Sequence, residues 1–376
     1  MKKFLISCGG TGGHLSPGIA LAEGLLARGH EVRLLISQKK VDARLSEKYP
    51  HLRFERMPGT GFAWNPLQLA KCSLSQSQAL WFCLRLIRAM RPDAVVGFGG
   101  FTSAPIVLAA RVTGVPSALH ESNRVPGRAV RTLGRLATRV YLPPGISVPG
   151  IRGPKTRHVG LPVRREFTRQ PAAVARAALG LDPEQKLLVV LGGSQGASAL
   201  NDWARSRAEI FAAEGIQLYV VTGLGKGRDE TLELRTRSGA VVRTVFAPFS
   251  DRIAVLMSAA DLVVSRAGAG TLAELARCEA PAILVPYPLA ADNHQQANAE
   301  YFERAGGGLV IAQPQLAQLQ AAVLETLGNE RLLRKFRANL QRLDHANSLE
   351  LMLGDLETIA RPARPPRSRS HLAAVT

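Results

Sequence analysis

Two short apolar segments, about half a chain apart, each run into a cluster of glycines and then into a helical pattern. The first is the strand pattern Phe4–Cys8 followed by the loop Gly9–His14; the second is Leu187–Leu191 followed by Gly192–Ala197. Glycine allows a tight turn and a close approach of ligand to backbone, and the helix start that follows offers unpaired N–H groups. Finding this pattern twice predicts two similar α/β domains whose phosphate- or sugar-binding loops face one cleft.

The rest of the chain alternates strand and helix patterns, as a mostly parallel sheet covered by helices requires. The other predicted strands are Glu31–Ile36, Asp93–Gly97, Ser117–His120, Gln217–Val221, Val241–Phe246, Leu262–Ser265 and Ala282–Pro286. Predicted helices fall between them, for example at Ala269–Cys278 and Gln295–Ala305.

Composition shifts divide the chain into domains. The segment Leu142–Pro162 is rich in proline and glycine, which indicates the approach to an interdomain hinge. We therefore expect a first domain over residues 1–162, a second over 163–340, and a C-terminal helix over 341–360 that can return to the first domain. The tail over 361–376 is rich in proline and arginine and is predicted to be disordered.

Basic residues are concentrated in the first of these domains. Residues 1–162 hold 23 Lys and Arg against 7 Asp and Glu, whereas residues 163–376 hold 25 against 22. This asymmetry predicts an anionic partner for the first domain, and nucleic acid, lipid headgroups and a diphosphate-bearing substrate all satisfy it. The segment Leu80–Arg88 mixes large apolar residues with arginine, as interfacial helices do.

Five arginines are spaced as on one helical face, which is either a solvated surface or an anion- or membrane-binding one. They are Arg124, Arg128, Arg131, Arg135 and Arg139.

Hydropathy and cysteine usage limit the class of protein. Mean hydropathy is +0.03, and no uncharged run reaches the about 20 apolar residues that a spanning helix needs. The N-terminus resembles a lipoprotein signal in outline, but its apolar stretch is shorter than the about 7–15 residues of such a signal, so we interpret it as the first strand. Four cysteines in no paired or metal-like spacing then predict a reduced, cytosolic protein.

Four segments carry candidate site residues. His14 lies where the first glycine loop enters its helix, where a histidine serves as a general base or simply caps or packs. The segment His120–Asn123 ends a strand at the expected cleft edge. Asp292–Asn298 carries successive polar side chains that either bind sugar hydroxyls or open a polar helix.

The segment Ser265–Glu274 is the sharpest local signal. Thr271 and Glu274 either form a capping box or belong to a helix N-terminus that cradles a diphosphate, with Glu274 accepting hydrogen bonds from ribose hydroxyls. The chain has no Asp-x-Asp pair, so we expect neither a bridging metal nor another cofactor. The first glycine loop also lacks the spacing of a dinucleotide fingerprint or a P-loop.

Taken in order, these motifs resemble those of the MurG family of glycosyltransferases, over the chain to about residue 358. The matching segments are Gly9–His14, Gly97–Phe101, His120–Asn123, Pro162–Arg164, Gly192–Ala197, Arg266–Glu274 and Gln295–Gln296. The resemblance implies a GT-B fold: two Rossmann-like α/β domains with parallel sheets facing a central cleft. It also implies an inverting transfer of GlcNAc from UDP-GlcNAc to the 4-hydroxyl of the MurNAc of lipid I, giving lipid II in peptidoglycan synthesis.

Residue roles follow from the same resemblance. His14 is the first candidate for the catalytic base and Glu121 the second. The implied substrate-binding residues are Thr11, Gly12, Gly13, Asn123, Arg164, Ser194, Ser250, Ala269, Gly270, Thr271, Leu272, Glu274, Gln295 and Gln296. Asn123 and Gln296 would contact the GlcNAc, Arg164 and Ser194 the diphosphate region, and Ser250 the uracil.

The implied partners are the UDP-GlcNAc donor, the lipid I acceptor and the anionic inner-membrane surface, with a peripheral position on its cytoplasmic face and no nucleic acid. Three other functions stay open on the sequence. They are transfer of another UDP-sugar to a different lipid or small aglycone, nucleic-acid binding, for which no recognised motif is present, and a GT-B-like epimerase, whose catalytic carboxylates are not evident.

Overall fold

The computed structural model describes residues 1–10, 12–59, 66–151, 153–193, 197–344 and 348–362. Within them the chain forms two α/β units, each built on a sheet of seven strands. This confirms the predicted fold class. The predictions for Thr11, Ser194 and the tail beyond residue 362 concern residues outside the described ones.

The first unit carries the strands β1 to β7 and the helices α1 to α5. The strands are β1 Lys3–Ser7, β2 Glu31–Ile36, β3 Phe54–Arg56, β4 Ala94–Gly97, β5 Ser117–His120, β6 Arg139–Leu142 and β7 Thr156–His158. The helices are α1 Gly12–Ala27, α2 Lys40–Glu47, α3 Pro66–Met90, α4 Ser103–Thr113 and α5 Arg128–Leu133. The sheet order is β3-β2-β1-β4-β5-β6-β7, and all its pairs are parallel.

The second unit carries the strands β8 to β14 and the helices α6 to α12. The strands are β8 Lys186–Leu191, β9 Ile216–Val221, β10 Glu230–Arg235, β11 Val241–Ala247, β12 Leu262–Ser265, β13 Ala282–Leu284 and β14 Gly308–Val310. The helices are α6 Ala172–Ala178, α7 Ser198–Ala213, α8 Ile253–Ala259, α9 Ala269–Arg277, α10 His294–Arg304, α11 Leu319–Gly328 and α12 Glu330–Leu343. The sheet order is β10-β11-β9-β8-β12-β13-β14, with β10 antiparallel to β11.

The central strands are apolar on both faces because helices cover both sides of each sheet, as parallel sheets require. In β8, for example, Leu187–Val190 are fully buried. Strand order reverses next to β1 in the first sheet and next to β8 in the second. Ligands of open α/β sheets bind in the crevice at such a reversal, outside the carboxyl ends of the strands.

The last helix, α13 (Ser348–Ile359), packs on the first unit. Met352, Leu353 and Leu356 share a buried cluster with Phe4 of β1 and with α1. Arg139 also pairs with Asp355 of α13, with Nε and Oδ2 2.7 Å apart. The chain therefore crosses between the two units twice.

Two expectations about local structure are wrong. The five arginines do not share a helical face, because α5 covers only residues 128–133, Gly134 follows it and Arg139 lies in β6. A Cβ at Gly134 would lie 2.1 Å from the Ile151 side chain, so this end of the helix needs glycine. The predicted strand Ala282–Pro286 ends earlier, at Leu284. The observed strands β3, β6, β7, β10 and β14 were not predicted. Among the described helices, none combines the length and apolar character needed to cross a bilayer.

Candidate active site

Helix α1 follows β1 in the first unit, and helix α9 follows β12 in the second. Helix α1 contacts α9 across the predicted cleft. The loops before these helices leave their sheets at the two strand-order reversals, the position where α/β folds bind ligands. The predicted site residues on α1 and α9 therefore lie on contacting elements of the two units.

A buried carboxylate fixes the first glycine loop. Asp42 of α2 is fully buried, and its Oδ2 accepts hydrogen bonds from the backbone N–H of Gly10 at 2.7 Å and from Ser37 Oγ at 2.6 Å. Lys39 Nζ donates to the Gly10 carbonyl at 2.9 Å. Gly10 has φ +114°, a conformation that favours glycine. No sequence motif marked Asp42, which lies 32 residues from the loop it holds.

His14 lies in the first turn of α1, against the loop after β4. Gly99 and Gly100 leave room for its ring: a Cβ at Gly100 would lie 3.2 Å from His14 Nδ1. Burial lowers the pKa of His14 to about 4; Asp42 opposes this shift, while Lys39 and His294 add to it. His294 belongs to α10, so charge from the second unit reaches this ring. At neutral pH the imidazole is therefore uncharged and able to accept a proton.

Glu121 is buried at the end of β5 and is bonded within its own loop. Its Oε1 accepts from the Asn123 N–H at 2.9 Å, and its Oε2 accepts from the Gly127 N–H at 2.6 Å. Burial raises the pKa of Glu121, and these hydrogen bonds oppose the shift. The carboxylate thus shapes the loop that presents Asn123.

Asn298 of α10 joins the two units at this loop. Its side chain, 2% exposed, donates from Nδ2 to Asn123 Oδ1 and to the Ala267 carbonyl, both at 3.1 Å. Its Oδ1 accepts from the Arg124 N–H at 2.9 Å. Sequence reasoning included Asn298 in a polar segment but gave it no partner.

The N-terminus of α9 is open to the cleft. Its N-cap is Gly268, no side chain caps it, and the Glu274 carboxylate bonds to Arg164 instead. The capping-box interpretation is therefore wrong. A Cβ at Gly270 would meet no atom within 4 Å, so space remains in front of the first turn. Ala269 and Thr271 are partly exposed there, whereas Leu272 is buried in the core.

Arg164 connects both units at the hinge. It is buried, and it donates from Nη1 to the Tyr49 hydroxyl at 3.0 Å and from Nη2 to Glu274 Oε1 at 3.2 Å. A third partner, Glu166 Oε1, lies 3.1 Å from Nη1. Burial raises the pKa of Glu274, and Arg164 opposes that shift. Neither Tyr49 nor Glu166 was expected from the sequence.

The remaining predicted residues make hydrogen bonds within their own segments of the chain. Gln295 Oε1 accepts from the Tyr287 N–H at 3.0 Å, and Gln296 Nε2 donates to Glu300 at 3.0 Å. Ser250 Oγ accepts from the Arg252 N–H at 3.1 Å. Gly12 and Gly13 are the first two residues of α1.

No group of three or more His, Cys, Asp or Glu side chains in the described ranges could hold a metal ion.

Two family models together match most of the chain. The N-terminal domain of glycosyltransferase family 28 matches residues 4–142, and the C-terminal domain of the same family matches residues 187–349. The boundary between the two models falls in the hinge region.

Similar proteins share this family across nearly their full lengths. A UDP-N-acetylglucosamine–N-acetylmuramyl-(pentapeptide) pyrophosphoryl-undecaprenol N-acetylglucosamine transferase from Opitutus terrae is 63% identical, over 96% of each chain. A protein of the same name from Acidovorax sp. (strain JS42) is 38% identical over 89% of this chain and 82% of the relative. The crystal structure of Acinetobacter baumannii MurG superposes with a TM-score of 0.70 at 25% identity, covering 95% of this chain and all of that one.

Proposed function

Because the chain belongs to glycosyltransferase family 28, we propose that its cleft transfers GlcNAc from UDP-GlcNAc to the 4-hydroxyl of the MurNAc of lipid I, giving lipid II. It is an N-acetylglucosaminyltransferase of peptidoglycan synthesis, and the transfer inverts the anomeric centre. Roles in cell shape and cell division would follow from supplying this precursor.

One observation carries the proposal: helix α9, whose N-terminus no side chain caps, contacts helix α1, which carries His14 in its first turn. The free N–H groups and the dipole of a helix N-terminus stabilise an anion there. Placed against the donor diphosphate, they would lower the energy of UDP as it leaves. The first turn, Ala269–Leu272, would bind the phosphates, and Glu274 would bind the ribose.

His14 would act as the general base. The neutral imidazole takes the proton of the acceptor 4-hydroxyl while that oxygen bonds to the anomeric carbon of GlcNAc. The bond from this carbon to the diphosphate oxygen breaks on the opposite face, and its electron pair leaves with UDP. Glu121 would assist by holding Asn123 and the chain up to Gly127, since both of its oxygens are bonded in that loop.

The other substrate contacts are proposed on position in the cleft. Asn123, Gln295 and Gln296 present amides suited to GlcNAc hydroxyls. Arg164 would approach the diphosphate region, and the Ser250 backbone the uracil. Gly12 and Gly13, at the start of α1, would border the diphosphate and the sugar. Thr11 and Ser194 lie outside the described residues, and their roles are proposed from the family resemblance alone.

A peripheral position on the cytoplasmic face of the inner membrane is proposed from the exposed faces of α3 and α4, which pack together. Leu74 and Trp81 of α3 are 64% and 53% exposed, and Val112 of α4 is 73% exposed. Arg85 stacks on Trp81 with its guanidinium 3.6 Å from the ring centroid. Apolar side chains beside arginines suit an anionic bilayer surface.

A donor–acceptor assay tests the function. Purified protein is incubated with UDP-GlcNAc and a lipid I analogue, and released UDP and the disaccharide product are measured. Product with the β-linkage supports the proposal. No UDP release with lipid I, or faster release with an unrelated lipid or aglycone, would contradict it. Sedimentation with anionic and neutral vesicles, comparing wild type with Trp81→Ser, tests the membrane position.

A further inference from the structure

The end of helix α2, part of the first unit, contacts the second unit next to the proposed uracil loop. The guanidinium of Arg44 lies 4.3 Å from the centroid of the Phe249 ring. Lys48 Nζ donates to the Asp251 carbonyl at 3.0 Å. Ser250 lies between these two contacted residues, so an element of the acceptor-side unit borders the nucleoside end of the donor site.

Tyr49, just past the end of α2, extends this contact to the hinge. Its hydroxyl accepts from Arg164 Nη1 at 3.0 Å and donates to Glu166 Oε1 at 2.7 Å. Arg164 Nη2 in turn donates to Glu274 Oε1. One chain of hydrogen bonds therefore runs from Tyr49 in the first unit to the carboxylate proposed to bind the ribose.

The placement of Arg164 depends on these bonds. Its Nε–H is buried and has no hydrogen-bond partner in the described part of the chain. The terminal amino groups, bonded to Tyr49 and Glu274, must therefore hold the guanidinium in place. Arg164 donates a hydrogen bond to Oε1 of Glu274. Within the described ranges no group bonds to the other carboxylate oxygen, Oε2. That oxygen is therefore left to accept a hydrogen bond from a ribose hydroxyl.

We propose that Tyr49 is a positioning residue for the donor nucleotide. Through Arg164 it fixes the orientation of the Glu274 carboxylate, so that affinity for UDP depends on the contact between the two units. This inference rests on the proposed function, because it assigns the nucleotide to the site beside Glu274.

The test is Tyr49→Phe, which removes only the hydroxyl. The variant loses the hydrogen bond from the charged Arg164 to the Tyr49 hydroxyl, whereas Glu166 and Glu274 still hold Arg164. We therefore expect the Kd of UDP, measured by calorimetry, to rise about three- to tenfold. The KM for UDP-GlcNAc should rise with it, whereas kcat at saturating donor and the KM for the lipid I analogue should not change. Glu166→Gln, which weakens the same network from its other side, should raise the Kd in the same direction.

Tyr141→Phe is the matched control. The Tyr141 hydroxyl, also buried, donates to Asp355 Oδ2 of α13 at 2.8 Å and takes no part in the Tyr49–Arg164–Glu274 hydrogen bonds. This variant should lose thermal stability yet bind UDP as the wild type does. An equal rise in Kd for both variants, or an unchanged Kd in Tyr49→Phe, would overturn the inference and leave the proposed function intact. Absence of UDP binding to the wild type would instead overturn the proposed function.

A double-mutant cycle separates positioning from general destabilisation. If Tyr49 acts through Glu274, Tyr49→Phe should add no further loss of UDP affinity to Glu274→Gln. Additive losses would show that Tyr49 acts independently of Glu274 and would contradict the proposal.

Discussion

Asn298 of the second unit donates a hydrogen bond to Asn123 of the first, across a 3.1 Å contact. Both residues sit where the donor sugar is proposed to bind. The same Asn298 side chain also accepts from the Arg124 backbone, so one amide joins the units at the reacting end of the cleft.

Asn298→Ala should weaken both stability and turnover. The substitution leaves the Arg124 N–H and Asn123 Oδ1 without their partner, which costs about 1–3 kcal/mol in the free energy of unfolding. Because Asn123 then loses its fixed position, kcat/KM for UDP-GlcNAc should fall by about tenfold. Urea denaturation and steady-state kinetics measure the two effects. Asn339→Ala is the control, since that amide bonds to the Gly306 carbonyl inside the second unit at 3.0 Å; an equal loss of kcat/KM there would refute the prediction.

His14→Gln should lower kcat by about 10²- to 10⁴-fold, the range for loss of a general base. Binding of UDP should be nearly unchanged, because the His14 side chain is proposed to contact the acceptor hydroxyl and not the nucleotide. Product formation and calorimetry check the two statements. His51→Gln serves as control: that ring is more exposed, pairs with Glu23 at 3.3 Å and has no proposed contact with substrate. Near-wild-type turnover in His14→Gln would remove the base assignment and leave the transferase function standing.

Gly270→Ala should separate stability from donor binding. The added Cβ meets no atom within 4 Å, and alanine favours a helix over glycine by up to about 1 kcal/mol, so the fold should not be destabilised. The methyl group would, however, occupy the space proposed for the diphosphate, and the KM for UDP-GlcNAc should rise. Gly354→Ala in α13, equally free of contacts, should leave that KM unchanged. A donor KM unaffected by Gly270→Ala would place the phosphates elsewhere.

Acid should destabilise the fold through two histidines of lowered pKa, His14 and the buried His120. Burial lowers the pKa of both His14 and His120 from 6.5 to about 4. Between these values the unfolded chain binds more protons than the folded one, so the free energy of unfolding falls as pH drops from 6.5 towards 4. Each histidine should contribute about 1–2 kcal/mol of this loss between pH 7 and pH 5. Urea denaturation at several pH values in this range should show that the free energy of unfolding depends less on pH in His120→Gln than in the wild type. An identical pH dependence would argue against a neutral buried His120.

Local patterns predicted most of the fold, because strand, glycine turn and helix start are adjacent in the sequence. The strand Leu262–Ser265 was placed at its observed bounds, and the open start of α9 follows from small residues after it. Strands β3, β7 and β14 span only three residues each, too few to show a periodicity. The edge strand β10 alternates partly buried and exposed residues, so its period-2 pattern was present in the sequence and was overlooked.

Contacts between distant segments could not be predicted. Tyr49 and Arg164 are 115 residues apart, and Asn123 and Asn298 are 175 apart. Their pairing depends on how the two units close, which no local periodicity encodes. The sequence thus indicated which loops meet at the cleft, but not the side chains that hold the units together.

The return of α13 has a consequence for synthesis on the ribosome. Leu353 lies so close to α1 that a Cβ at Gly24 would approach it to 2.9 Å, and Leu356 shares a cluster with Phe4. The apolar cluster around β1 and α1, which are synthesised first, is therefore completed by residues of α13, which are synthesised some 300 positions later. Until they emerge, the nascent first unit lacks the helix that covers this apolar cluster.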